Sequence, residues 1–126
     1  MCVRVSRTVT ITEEMVKQYE LLSGDDNPIH LDVDEARKYH FERPIAHGMI
    51  VMGFGAQVVA ALAEESCVIS EYEMDFLKPV FVNDTVHLIA EDSSDSNYVE
   101  IKGIVNGEKV IKGKARYERE MSSEVV

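Results

Sequence analysis

Gly48-Met49-Ile50-Val51-Met52-Gly53-Phe54-Gly55-Ala56-Gln57-Val58-Val59-Ala60-Ala61-Leu62-Ala63 is a run in which Gln57 is the one strongly polar side chain. A helix over it is apolar nearly all round, so it must be covered on more than one side, whereas a surface helix needs only one apolar stripe. At 16 residues with three glycines the run is short for a membrane span, which needs about 20. What flanks it decides how it is covered.

On its C-terminal side the pattern changes to period two. After Cys67, Tyr72, Met74 and Phe76 share one face and Glu71, Glu73 and Asp75 the other, the alternation of a strand with one wet face. Val86, Leu88 and Ala90 repeat it after Asn83-Asp84, as do Val99, Ile101 and Val105 before Asn106-Gly107, a strong hairpin signal. A last strand runs to about Tyr117, giving four strands in meander order after the helix. A two-residue turn at Asn106-Gly107 sets Ile101 across from Lys112 on one face, a conflict that a bulged three-residue loop removes.

On its N-terminal side, Val3, Val5, Val9 and Ile11 alternate with Arg4, Ser6, Thr8 and Thr10, interrupted only by Arg7. That is a half-buried strand. Thr12 fits a helix N-cap with Glu13 and Glu14 in the first turn, and Met15, Tyr19 and Leu22 recur at helical spacing until Ser23-Gly24. A short helix is expected over Asp34–His40, and Arg43-Pro44 marks an extended approach to the apolar run. A sheet wrapped around the one apolar helix accounts for these elements economically, and a second copy of the chain can cover what the sheet leaves bare. The fold class is α+β, a single domain over 1–126, with the patternless tail 119–126 expected to be flexible.

Between the first helix and the apolar run lies Ser23-Gly24-Asp25-Asp26-Asn27-Pro28-Ile29-His30-Leu31-Asp32, followed by Arg43-Pro44-Ile45-Ala46-His47-Gly48-Met49. A carboxylate and an imidazole five residues apart, on a turn stiffened by Asn-Pro, can form an acid/base pair. Each residue also has a plainer reading: Asp25 as a turn or capping residue, His30 as a half-buried hydrogen-bonding group, Asn27 as the nucleus of an Asx turn. His47 fits a role in orienting the segment before the helix. Asp25, Asp26, His30, Asp32 and Asp34 crowd together, but they lack the glycine and the distal glutamate of a calcium loop, and no zinc pattern appears, so no metal is expected.

These two motifs resemble the signature of the MaoC-like, or R-specific enoyl-CoA hydratase, family, and the likeness extends to Phe76-Leu77-Lys78-Pro79-Val80-Phe81 and Asn83-Asp84. The resemblance implies the hot-dog fold and hydration of trans-2-enoyl thioesters, or the reverse dehydration of R-3-hydroxyacyl thioesters. It implies Asp25 and His30 as the catalytic pair, Asn27 and His47 as supporting residues, and the Gly48 amide as donor to the thioester oxygen, with coenzyme A as carrier and no cofactor. Which of Asp25 and His30 holds the water is left open. Where some members carry a serine, nine residues beyond the His-Gly histidine, this chain has Ala56. A hot-dog thioesterase and a noncatalytic thioester-binding domain are the rival readings.

The chain carries 13 basic and 23 acidic residues, a formal charge of −10. Phosphate neutralisation needs clustered cations, so nucleic acid is not an expected partner, and an anionic membrane surface is disfavoured too. A local patch for one anionic ligand is compatible with the sequence, with Arg43, Lys78, Lys112 and Lys114 as candidates; Arg43 and Lys78 are the candidate coenzyme A contacts, with a solvated helix-flanking arginine as the plainer reading of Arg43. The acidic balance slightly disfavours acyl carrier protein as the habitual partner. Cys2 and Cys67 form neither a disulfide framework nor a metal knuckle and receive no function. No export signal is recognised, so a cytoplasmic homodimer is expected.

Overall fold

The computed structural model describes residues 3–63, 67–92 and 98–119. In chain order the elements are β1 (Val3–Thr10), α1 (Glu13–Ser23), a 3-10 turn (Pro28–His30), α2 (Val33–Lys38), α3 (Gly48–Ala63), β2 (Cys67–Phe76), β3 (Thr85–Asp92), β4 (Val99–Val105) and β5 (Glu108–Arg119). The strands form one antiparallel sheet in the order β1-β3-β4-β5-β2, and α3 packs across its inner face. The hot-dog arrangement expected from the resemblance is present.

Alternation along the strands builds the core. Val86, Leu88 and Ala90 of β3, Val99 and Ile101 of β4 and Ile111 and Ala115 of β5 are buried with Val51, Val58, Val59 and Leu62 of α3. The sheet covers only one side of the helix. Met49 is 60% exposed, and Gly53, Gln57, Ala60 and Ala61 face outward with it.

Strand order departs from the expected meander. Only β3, β4 and β5 follow one another; β2 pairs with β5 at the far edge, so the chain crosses between β2 and β3 and Asn83-Asp84 is not a hairpin. Local alternation defines a strand's faces but not its neighbour. The chosen neighbour is complementary: Arg116 and Lys114 on β5 reach Glu71 and Glu73 on β2 at 3.6 and 3.3 Å.

The β4–β5 hairpin corrects a second expectation. Its loop is the two-residue Asn106-Gly107 turn, with φ of 51° and 79°, as type I′ geometry requires. The irregularity lies inside the ladder: Ile104 pairs with Lys109 but Gly103 with Ile111, leaving Val110 as the extra residue of a bulge. Ile101 therefore meets Gly113 rather than Lys112. Gly103 makes room for the shift, since a Cβ there would lie 2.7 Å from the Ile111 side chain.

Three boundaries differ slightly. α2 begins and ends earlier than Asp34–His40, because the Asp32 carboxylate accepts from Asp34 N–H and Glu35 N–H at 2.9 and 3.2 Å and so fixes the N-cap. β5 continues through Arg119, into the stretch expected to be a tail. The rest of that tail, and Cys2, lie outside the described residues.

Candidate active site

The loop after α1 is held by its own short polar side chains. Thr12 caps the start of α1 through Met15 N–H at 3.2 Å, and Gly24 at φ 78° ends it. Ser23 Oγ then accepts from Asp25 N–H at 3.1 Å, and the Asp25 carboxylate accepts from Asn27 N–H at 3.4 Å. Asn27 Oδ1 accepts from Ile29 N–H at 3.2 Å and caps the 3-10 turn, whose first residue, Pro28, has its φ already set. The turn carries His30 inward to 7% exposure.

From the other side, the segment before α3 is tied down by backbone bonds, with Ile45 N–H donating to Ile29 and Ala46 N–H to Val80. It brings His47 beneath the loop at 3% exposure. His30 Nδ1 lies 2.7 Å from the Ile45 carbonyl. A carbonyl only accepts, so His30 carries a proton on Nδ1, and its neutral form presents an Nε2 lone pair. His47 Nε2–H likewise donates to the Asp25 backbone carbonyl at 3.0 Å, with the Asp25 carboxylate 3.8 Å away.

Sequence-distant groups thus converge. The two imidazoles stack with centroids 3.6 Å apart, and Tyr19 of α1 packs on His47 at 4.7 Å. One carboxylate oxygen of Asp25 and one ring nitrogen each of His30 and His47 lie within 4.8 Å of one another. Asp25 is half exposed and faces solvent, while both histidines are buried. Parallel rings aim their in-plane lone pairs side by side rather than at one point, a poor arrangement for a common metal ion. Asp26 is exposed, and Asp32 and Asp34 belong to the cap of α2.

Gly48 opens α3 beside the Phe76 ring, where first-turn amides lack intrahelical acceptors and the helix dipole is positive. Asn27 stands next to Asp25, but its side-chain oxygen is spent on the turn. His30 and Arg43 line one hollow of about 280 Å³ with Leu31, Pro44 and Val82.

Arg43 and Lys78 share a second hollow, of about 360 Å³, and both have internal partners. Arg43 donates to Asp84 at 2.9 Å and to the Val82 carbonyl at 3.1 Å and lies 4.3 Å over Phe81. Lys78 pairs with Glu108 at 2.5 Å. Lys112 and Lys114 are elsewhere, on the outer sheet face among Glu73, Asp75 and Glu100, so the four cations form no common patch.

Tyr19 is the site neighbour that sequence reading missed. Helical spacing placed it on one face of α1 with Met15 and Leu22, and no local signal says that this face abuts a histidine 28 positions later.

A family model described as MaoC like domain matches residues 1–114. The chain belongs to the MaoC-like domain family. This MaoC-like domain is 32% identical over 79 residues to a mitochondrial 3-hydroxyacyl-[acyl-carrier-protein] dehydratase of Arabidopsis thaliana, covering 63% of this chain and 47% of that protein. It is 38% identical over 72 residues to the (R)-specific enoyl-CoA hydratase of Aeromonas caviae, covering 56% and 54%. The chain thus spans about half the length of each of these two relatives. Among solved structures, the (R)-hydratase from A. caviae involved in PHA biosynthesis superposes with a TM-score of 0.77 at 26% identity, covering 94% of both chains. A protein from Archaeoglobus fulgidus gives 0.81 at 26% identity, covering 93% of this chain and 76% of that one. Among the described residues no helix is long and apolar enough to cross a membrane.

Proposed function

We propose that the protein is a hydro-lyase that hydrates trans-2-enoyl thioesters to R-3-hydroxyacyl thioesters, or runs the reverse dehydration, with Asp25 and His30 as a coupled acid/base pair. The observation that carries this reading is the convergence of the Asp25 carboxylate with the ring nitrogens of His30 and His47 within 4.8 Å. Groups brought that close can share one bridging water through two ordinary hydrogen bonds. A carboxylate and a neutral imidazole both accept, so such a water donates a proton to each.

In hydration, the water oxygen bonds to the β-carbon while one member of the pair takes its proton. The electron pair of the carbon–carbon double bond moves toward the thioester carbonyl, and a proton delivered to the α-carbon completes the addition, so that the elements of water enter and nothing leaves. The Gly48 amide at the positive end of α3 steadies the developing enolate oxygen. His47 orients the pair from below, through the Asp25 carbonyl and the stack with His30. Both proton transfers run on side chains, and no cofactor or metal takes part.

Coenzyme A thioesters are the substrates this reading favours, in keeping with the hydratase relatives and the acidic chain. The working unit is a homodimer in the cytoplasm, in which a second copy covers part of the outward face of α3.

The deciding experiment follows loss of enoyl absorbance with crotonyl-CoA for the native protein, Asp25→Asn and His30→Ala. Hydration by the native chain that collapses in both variants is the expected result. Release of free thiol instead identifies a thioesterase, and binding without turnover identifies a thioester-binding domain.

A further inference from the structure

Arg7 interrupts the apolar alternation of β1, and its register explains where it goes. It pairs with Leu88, a fully buried inner-face residue, and cross-strand partners share a face. Arg7 is therefore a cation on the helix-facing side of the sheet. Its guanidinium lies 4.9 Å over Phe54 and donates to Gln57 Oε1, both on α3. Among the described residues Arg7 forms no ion pair, although the chain has ten more acids than bases (23 against 13).

Phe54 and Gln57 also end a groove of about 310 Å³ between α1 and α3, walled by Met15, Tyr19, Leu22 and Met49. Its other end is the catalytic region, because Tyr19 packs on His47 and Met49 follows Gly48. From Met49 to Gln57 the helix rises about 12 Å, room for a medium-length alkyl chain. The walls are mostly apolar, with Gln18 the polar side chain between the two ends, which suits an alkyl chain better than the pantetheine arm with its two amides. At the far end, the remaining Arg7 N–H groups and the Gln57 amide N–H₂ are donors that meet no acid among the described residues.

Resting on the hydratase reading above, we propose that this groove holds the acyl tail and that Arg7 and Gln57 receive a carboxylate at its far end, so that acyl thioesters ending in a carboxylate are the preferred substrates. Guanidinium with carboxylate is a charge-assisted pair, and Arg7 and Gln57 are both exposed, so a carboxylate reaches them from solvent. An inward charge also discourages pairing at an edge strand, but that role requires no Gln57 partner and no groove.

The test compares kcat/KM for two medium-chain trans-2-enoyl-CoA substrates of equal carbon number, one ending in methyl and one in carboxylate. The native protein is expected to favour the carboxylate at least tenfold. Arg7→Gln lowers that ratio about tenfold, Arg7→Lys keeps most of it, and Arg4→Gln, an arginine on the opposite face of the same strand, leaves it alone. A native preference for methyl, or a ratio unmoved in Arg7→Gln, overturns the proposal. Calorimetric binding of the matching saturated acyl-CoAs separates this inference from the hydratase reading. With no turnover of either substrate, a carboxylate preference in binding that Arg7→Gln abolishes upholds the groove while the hydratase reading fails. Equal binding of the two, with Arg7→Gln shifting the sedimentation coefficient, assigns the groove to a second copy of the chain and overturns it.

Discussion

The imidazoles of His30 and His47 lie face to face, 3.6 Å between centroids and 27° between planes, each bonded to a backbone carbonyl from another segment. His30 is tied to Ile45 and His47 to Asp25, so each histidine holds the stretch that carries the other half of the motif. The two motifs, 17 residues apart from histidine to histidine, become one rigid unit.

Asp25 and His30, the pair we propose for proton transfer, should be separable from the fold. Asp25 is half exposed, so Asp25→Asn should leave the melting temperature nearly unchanged while lowering kcat/KM by about 10²- to 10⁴-fold, the usual span for general acid/base groups. His30→Gln should do the same to the rate. The double variant should be scarcely worse than either single one, because groups acting as a unit are not additive. Multiplicative losses would mean independent roles.

His47 should behave differently. Removing its buried ring strips the donor from the Asp25 carbonyl and the support from beneath His30, so His47→Ala should cost about 1–3 kcal/mol of stability. It should also lower kcat more than it raises KM. His47→Gln, which keeps an N–H donor, should recover part of kcat. A purely structural role predicts equal damage to stability without that rescue.

How much of this was legible in the sequence varies by element. Alternation, caps and the apolar run located the α-helices and strands, because Thr12, Gly24, Asn106 and Gly107 act on their immediate neighbours. Pairing across the sheet was not legible: β2 chose β5 through charges and packing that no local window contains. Asp25 and His30 were candidates from spacing and resemblance, yet nothing local fixed the tautomer of His30, which depends on the carbonyl of Ile45, or the stack with His47. Arg7 was visible as a break in a pattern, and only its register with Leu88 turned the break into an orientation.

Alkaline pH should report on the anchor of α3. Tyr72 donates to the Met52 carbonyl at 2.6 Å, and burial pushes its hydroxyl from the ordinary 10.0 up to about 12. The folded state holds this proton more tightly than the unfolded one. Its contribution is therefore complete below pH 10 and is lost as pH rises through about 12. In urea titrations, the stability difference between the native protein and Tyr72→Phe should be constant at neutral pH and shrink across that interval. A difference that stays level there removes Tyr72 as the titrating group.

The same tyrosine should couple to Gly55. A methyl at that position would meet the Tyr72 hydroxyl and lie 2.8 Å from Met74 Cε, an overpacking worth about 1–3 kcal/mol. Gly55→Ala should cost less when Tyr72 is already Phe, since one of the two collisions is then gone. A double-mutant cycle in denaturant reads the coupling directly, and strict additivity would mean that Met74 alone resists the methyl.

Arg43 and Lys78 share a hollow but should answer to different assays. Arg43 is held by Asp84, by the Val82 carbonyl and by the face of Phe81, and Asp84 is itself buried and bonded to Phe81 N–H at 2.9 Å. Releasing that guanidinium strands a buried carboxylate, so Arg43→Gln should lower stability by about 1–3 kcal/mol. Lys78 has only an exposed pair with Glu108, a kind that contributes about 0–1 kcal/mol, and it can exchange Glu108 for a phosphate at little cost. Lys78→Ala should leave the melting temperature unchanged yet raise KM for an acyl-CoA more than for the same acyl-pantetheine, which lacks the nucleotide phosphates. If instead Arg43→Gln erases the KM difference between those two substrates while the fold holds, the phosphate contact belongs to Arg43 and the Asp84 pair gives way when ligand binds.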